Sequence, residues 1–184
     1  MGALWIVVII LVLLVFYAIS IKNSFVTLGN KTDEAFSTMD VYLKKRYDMI
    51  PNLVETVKGY AKHEAGTLDA VISARNKAVS AGTPAAKAEA ESEVSSTLKN
   101  LFALTESYPE LKANTNFLQL QKQLQDMENE IANSRKYYNG CVRQFNTKVE
   151  QFPSSIIAGM FNYQKQPMFT VESEKERDNV KVQF

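Results

Sequence analysis

The first twenty-one residues carry no charged side chain, and the first lysine is Lys22. The run MGALWIVVIILVLLVFYAISI is almost wholly apolar, with aromatic residues towards its two ends at Trp5 and Tyr17. As a helix rising 1.5 Å per residue, Ala3 to Ile21 spans roughly 28 Å, about the hydrocarbon thickness of a bilayer. Only a helix can take that single segment through lipid, because each of its amides must find a partner within the segment. The run therefore predicts a transmembrane helix with limits at Ala3 and Ile21. No later stretch matches it in length and apolarity, so a single pass is expected. A cleaved signal peptide is the competing reading, with Ala18-Ile19-Ser20 as a passable cleavage site, but the apolar run is long and no basic residue precedes it. A pilin-like start fits less well, since the run holds no acidic residue and has no basic leader.

Lysine and arginine near a span set its orientation. None lies on the N-terminal side, whereas Lys22 and Lys31 follow it, with Lys44, Lys45 and Arg46 farther out. This asymmetry predicts a short outer N-terminus and a C-terminal part in the cytoplasm. One cysteine, Cys141, allows no internal disulfide and suits a reducing compartment.

Roughly 160 residues follow the run, enough for one domain with a core. A formal net charge of +1 supplies no global field favouring nucleic acid. The rest reads as helices. Phe25, Leu28, Ala35, Phe36, Met39, Leu43 and Tyr47 recur at helical steps, and only Gly29 interrupts the path from the span to Ile50. Pro51 is expected to stop or kink that helix, with Asp48 placed to cap the next one. A second helix is predicted from Pro51 to about Val79 and a third from Thr83-Pro84 to about Tyr108. The fourth pattern is the most regular: Phe117, Leu120, Leu124, Met127, Ile131, Ser134, Tyr138, Cys141, Phe145, Val149 and Phe152. Asn114 or Thr115 can cap its start, and Phe152-Pro153 ends it. About 37 helical residues with such a stripe, roughly 55 Å, must lie along other long helices in shallow, coiled-coil-like crossings. The predicted fold is all-α: an N-terminal transmembrane helix (1–21) continuing into an antiparallel long-helix bundle (22–161), then a mobile C-terminal tail (162–184). Within 154–161, Ile156, Ile157, Met160 and Phe161 predict one short amphipathic turn. The charge run from Ser173 to Asp178 and the alternating Val180 to Phe184 end the sequence. The alternating end reads as a frayed terminus, or as an extended peptide docking on a neighbouring chain.

Chemistry-bearing patterns are sparse. One His and one Cys cannot supply a zinc site, and His63-Glu64 lacks the second histidine of a zinc-protease motif because position 67 is Thr. No phosphate loop, dinucleotide fingerprint or serine elbow is present. Cys141 sits on the apolar stripe as a small core residue. The Lys44-Lys45-Arg46 cluster reads as a solvated face, with contact to acidic headgroups as the alternative. Polar residues beside apolar faces are Arg46, Asp48, Asn52, Glu64, Arg75, Arg135 and Asn139. Buried charges must be paired, so these predict groups that satisfy one another and fix the helix register; a polar pocket for a partner peptide is the alternative. No catalytic, cofactor-binding or metal residue and no small-molecule or nucleic-acid partner is expected.

Several segments resemble the bacterial LemA family. They are Asp40-Val41-Tyr42-Leu43-Lys44-Lys45-Arg46-Tyr47-Asp48-Met49-Ile50-Pro51-Asn52-Leu53-Val54-Glu55-Thr56-Val57-Lys58, Tyr108 to Asn114 (YPELKAN), Arg135 to Asn139 (RKYYN), Phe145-Asn146 with Phe for Tyr, and Phe152 to Ala158 (FPSSIIA). The likeness covers nearly the whole sequence, in order. It implies a bacterial, single-pass inner-membrane protein with a long-helix bundle and no agreed activity. A magnetosome membrane protein belongs to the same family, and members occur beside membrane-protease and TPM-domain genes. Together with the residues, this predicts a non-enzymatic, homo-oligomeric scaffold in the bilayer. An adaptor or accessory subunit for a membrane protease or envelope-stress system is the alternative.

Overall fold

The computed structural model describes residues 1–170, all of whose regular elements are helices. They are α1 (Gly2–Lys58), α2 (Ala65–Ser80), α3 (Pro84–Thr105), α4 (Pro109–Lys112), α5 (Thr115–Glu150) and α6 (Ser154–Met160). The charge run at 173–178 and the alternating end at 180–184 lie outside the described residues. The chain divides into two compact units: residues 1–38 with 136–168, and residues 39–135 with Phe169.

The first unit contains the apolar run. From Leu4 to Ile19 its large side chains are 42–70% exposed, so no protein surface covers them. This part of α1 is long and apolar enough to cross a membrane. Helix α1 then continues without interruption into a core where Ile21, Phe25, Phe145, Ile157 and Ala158 are buried together. Phe25 stacks on Tyr163 at 4.6 Å between ring centroids and meets the edge of Phe145 at 5.8 Å. Two threonines on this stretch bond to their own helix: the Thr27 hydroxyl donates to the Asn23 carbonyl, and that of the buried Thr32 to the Leu28 carbonyl at 2.9 Å.

The chain after α6 is also fixed. Asn162 adopts φ 54°, with its N–H on the Gly159 carbonyl and the Tyr163 N–H on the Ala158 carbonyl at 2.9 Å. This left-handed cap turns the chain back and brings Tyr163 to Phe25. Farther along, the Asn146 side chain donates to the Gln166 carbonyl at 2.9 Å and accepts from the Gln166 N–H at 2.8 Å. The Tyr138 hydroxyl donates to the Pro167 carbonyl at 3.1 Å. Residues 162–168, placed with the tail by the sequence pattern, are thus strapped to α5. The pattern could not show this, because the contacts are made by single side chains, Tyr163, Asn146 and Tyr138, rather than by a repeating apolar stripe.

In the second unit, α2 and α3 pack together across the short turn at 81–83 and run in opposite directions. Thr83 is the N-cap of α3, its hydroxyl accepting from the Ala86 N–H, and Pro84 takes the first turn. Asn114 caps α5 by accepting from the Phe117 N–H at 3.0 Å. The core includes Met39, Leu43, Ile50, Leu53, Val57, Val71, Val94, Leu101, Phe117, Leu124 and Ile131.

Two expectations are corrected here. Pro51 does not end α1, which runs on to Lys58, and Asp48 is an exposed residue in mid-helix paired with Lys44 at 2.7 Å rather than a cap. A proline removes the amide that would bond to the carbonyl four residues back, here Tyr47. Arg75, on α2, supplies the missing donor: its Nε donates to the Tyr47 carbonyl at 3.3 Å. The break falls later, at Gly59 to Glu64, where the Tyr60 and Ala61 amides turn back onto Val57 and Ala61 is buried. A third difference lies at the end of α5, where Phe152 leaves the core and is 77% exposed.

If Arg75 replaces the lost donor, its value depends on the proline. Arg75→Ala is expected to cost about 1–3 kcal/mol by chemical denaturation, and clearly less in a Pro51→Ala background, where the backbone N–H returns.

Candidate functional site

The second unit buries an ionic centre. Arg46, on α1, points into the bundle and is 2% exposed. Its two terminal nitrogens donate to Glu91 on α3 and to Glu128 on α5. The other oxygen of Glu91 accepts from the Tyr47 hydroxyl. Glu91 is itself 2% exposed, while Glu128 lies at the edge of the cluster and also faces Arg135 at 3.9 Å. Arg135 stands over the ring of the buried Phe169 at 6.0 Å. Two guanidinium groups and two carboxylates thus balance in formal charge.

Burial drives these groups. Desolvation lowers the pKa of Arg46, opposed first by Glu128 and then by Tyr47, but an arginine starts so high that it stays charged. Burial pushes the Tyr47 hydroxyl up to about 12, against the pull of Arg46 and with a smaller push from Asp40. The arrangement is therefore a fixed ion-pair network with a neutral phenol. The pairing sets Arg46 of α1 and Glu91 of α3 at one level, where separating them would leave a buried charge without its partner.

Arg46 also forms the floor of an open groove of about 390 Å³ between α3 and α5. Leu98, Phe102 and Leu124 give it apolar walls, and Ser95, Lys99, Gln121, Gln125 and Glu128 give it polar ones. Ser95 has no histidine beside it: the chain's one histidine, His63, is exposed on the turn between α1 and α2. Among the described residues no group of three or more His, Cys, Asp or Glu could hold a metal ion. The geometry fits the holding of helices together and, at the groove, contact with a mixed polar and apolar surface.

The remaining sequence-picked residues are dispersed. Glu64 precedes α2 and accepts from the Tyr108 hydroxyl at 3.2 Å. Arg75 serves the Tyr47 carbonyl, Asp48 and Asn52 are exposed on α1, and Asn139 is half-buried on α5 in the first unit. The Lys44-Lys45-Arg46 cluster divides, with the two lysines in solvent and Arg46 inside. The sequence reading missed Tyr47, Glu91 and Glu128 as partners. Glu91 was detectable, for it falls in step with Ala88, Val94, Leu98 and Leu101 on the buried face of α3.

Removing one charge of this centre strands the other. Glu91→Gln is expected to destabilise the folded chain by about 3–5 kcal/mol, whereas the double change Arg46→Met with Glu91→Leu recovers most of that loss in denaturant titrations. Alkaline pH acts on Tyr47 in a defined direction. Its folded pKa lies above the unfolded value, so its contribution is complete below about pH 10 and is lost as pH rises towards about 12. Stability is expected to fall by up to about 2 kcal/mol through that window, and less steeply in Tyr47→Phe.

Comparison with known proteins places this architecture. A sequence model of the LemA family matches residues 35–184. The chain is 26% identical over 174 residues to Protein LemA of Metamycoplasma hominis, covering 93% of this chain and 79% of that protein. It is 23% identical to Magnetosome protein MamQ 2 of Paramagnetospirillum magneticum, over 80% of this chain and 64% of that protein. Magnetosome protein MamQ 1 of the same organism matches to the same extent, so the chain spans less than two thirds of either MamQ protein. With the family match extending through the ionic centre and most of the described helices, the chain belongs to the LemA family.

Proposed function

We propose that this protein is a non-enzymatic, membrane-anchored helical scaffold that self-associates and organises components of a bacterial inner membrane or envelope. The observation that carries this reading is the start of α1, whose apolar side chains are exposed from Leu4 to Ile19 and which continues as one helix into packed protein. So large an apolar surface is unfavourable in water and fits lipid. The positive residues after the span favour a single pass with the helical part in the cytoplasm. That two relatives are named magnetosome proteins supports a place at a membrane. The buried centre supports the structural role, since its charged groups are spent on one another.

The adaptor reading, a subunit serving a membrane protease or envelope-stress system, is favoured by the groove between α3 and α5, which offers apolar walls to a foreign segment. Crosslinking in intact membranes, followed by sizing in mild detergent, separates the two readings. The scaffold reading expects a discrete oligomer of this chain alone. Monomers throughout, or one foreign protein at fixed stoichiometry, would count against it.

A further inference from the structure

The first unit places a second apolar surface at the level where α1 would leave the membrane. Helix α6 buries Ile157 and Ala158 against Ile21 and Phe25, and Ala18, inside the predicted span, packs against the same cluster. A cleft of about 330 Å³ beside it is lined by Tyr17 and Ile21 from the span and by Lys148, Phe152 and Pro153 from the end of α5 and the following turn. A residue that touches the last turn of a transmembrane helix cannot lie far from the edge of the hydrocarbon, since one turn rises about 5.4 Å.

The outward face at this level is apolar. Phe152 is 77% exposed, Ile156 55%, Met160 73% and Phe161 47%. Ile156 and Met160 stand four residues apart and share one side of α6, and Phe152 is exposed on the turn that leads into it. Two lysines lie beside these residues. Lys22 sits over the Phe161 ring at 4.8 Å, and Lys148 is bonded to Ser24 and lies over Phe25 at 5.9 Å. Aromatic and long apolar side chains beside lysines are the composition of a membrane–water interface.

We infer that α6 and its flanks, through Phe152, Ile156, Met160 and Phe161, insert into the interfacial layer of the bilayer that α1 spans. The chain then holds the membrane at two places: the span itself and a lateral wedge packed on the span's last turn. A continuous α1 alone leaves the tilt of the span in the bilayer open, whereas the wedge sets it. This inference rests on the membrane span proposed above.

The chain has one tryptophan, Trp5, inside the span, which makes depth-dependent quenching a direct test. The full chain is reconstituted in vesicles of phosphatidylcholine and phosphatidylglycerol containing lipids brominated either high or low on the acyl chain. In a Trp5→Phe background, Met160→Trp is expected to emit with a blue shift and lose most of its emission to the shallow bromines and less to the deep ones. Ile156→Trp in the same background is expected to do the same and serves if the first variant does not fold. Tyr137→Trp, exposed on α5 in the same unit about four turns before Phe152, is expected to keep its emission. If Trp5 of the native chain is quenched but neither α6 probe is, the wedge is wrong and the span stands. Absence of quenching at Trp5 as well would overturn both readings. A blue-shifted α6 probe that no bromolipid quenches means that a second protein chain, not lipid, covers the face, which also overturns the inference.

Discussion

A backbone in lipid has no water to satisfy it, and with the start of α1 placed in the bilayer as proposed, this is the constraint on which the packing against that helix depends. The helix must form at once over Ala3 to Ile21, with no polar break. Because no proline follows until Pro51, the same hydrogen-bond ladder continues past Ile21, and the residues that emerge first, Phe25 and Leu28, are available as a packing face. Phe145 from α5, Ile157 and Ala158 from α6, and Tyr163 after the left-handed turn at Asn162 all take their positions from that face. The first unit is assembled around the helix that follows the apolar run, rather than hung from it by a linker.

The second unit meets a different demand, that of holding long apolar seams in one register. Leucine and valine faces specify burial but not level. Arg46 specifies level, because a buried guanidinium is tolerable only where Glu91 and Glu128 meet it, and Tyr47 occupies the second oxygen of Glu91. The same economy of partners explains Pro51. A proline inside a long helix leaves a carbonyl without its amide, and Arg75 from α2 fills that place. Two arginines thus tie three helices to α1 through groups that cannot be left unpaired.

The sequence made some of these features legible and hid others, for a physical reason. The span, the stripe of α5 and the caps at Thr83 and Asn114 depend on neighbours within a few residues, so spacing alone reveals them. The passage of α1 through Pro51 depends on a donor from another helix, which no local rule sees. The pairing of Arg46 with Glu91 joins residues far apart in the chain, although each stands on an apolar face and could be suspected from that. Phe152 follows the helical step in the sequence but lies past the end of α5 at Glu150, on a turn where the helical face no longer applies. The strap of residues 162–168 is held by Tyr138 and Asn146, whose polar side chains carry no periodic signal.

Continuity of α1 across the membrane boundary is the central claim, and hydrogen exchange on the full chain in lipid nanodiscs tests it most directly. Slow exchange without a gap from the apolar run through Lys22 to Gly29 and on to Met39 is the predicted result. A rapidly exchanging window between Ile21 and Lys31, with protection on either side, would show a hinge between anchor and packed helix and would contradict it.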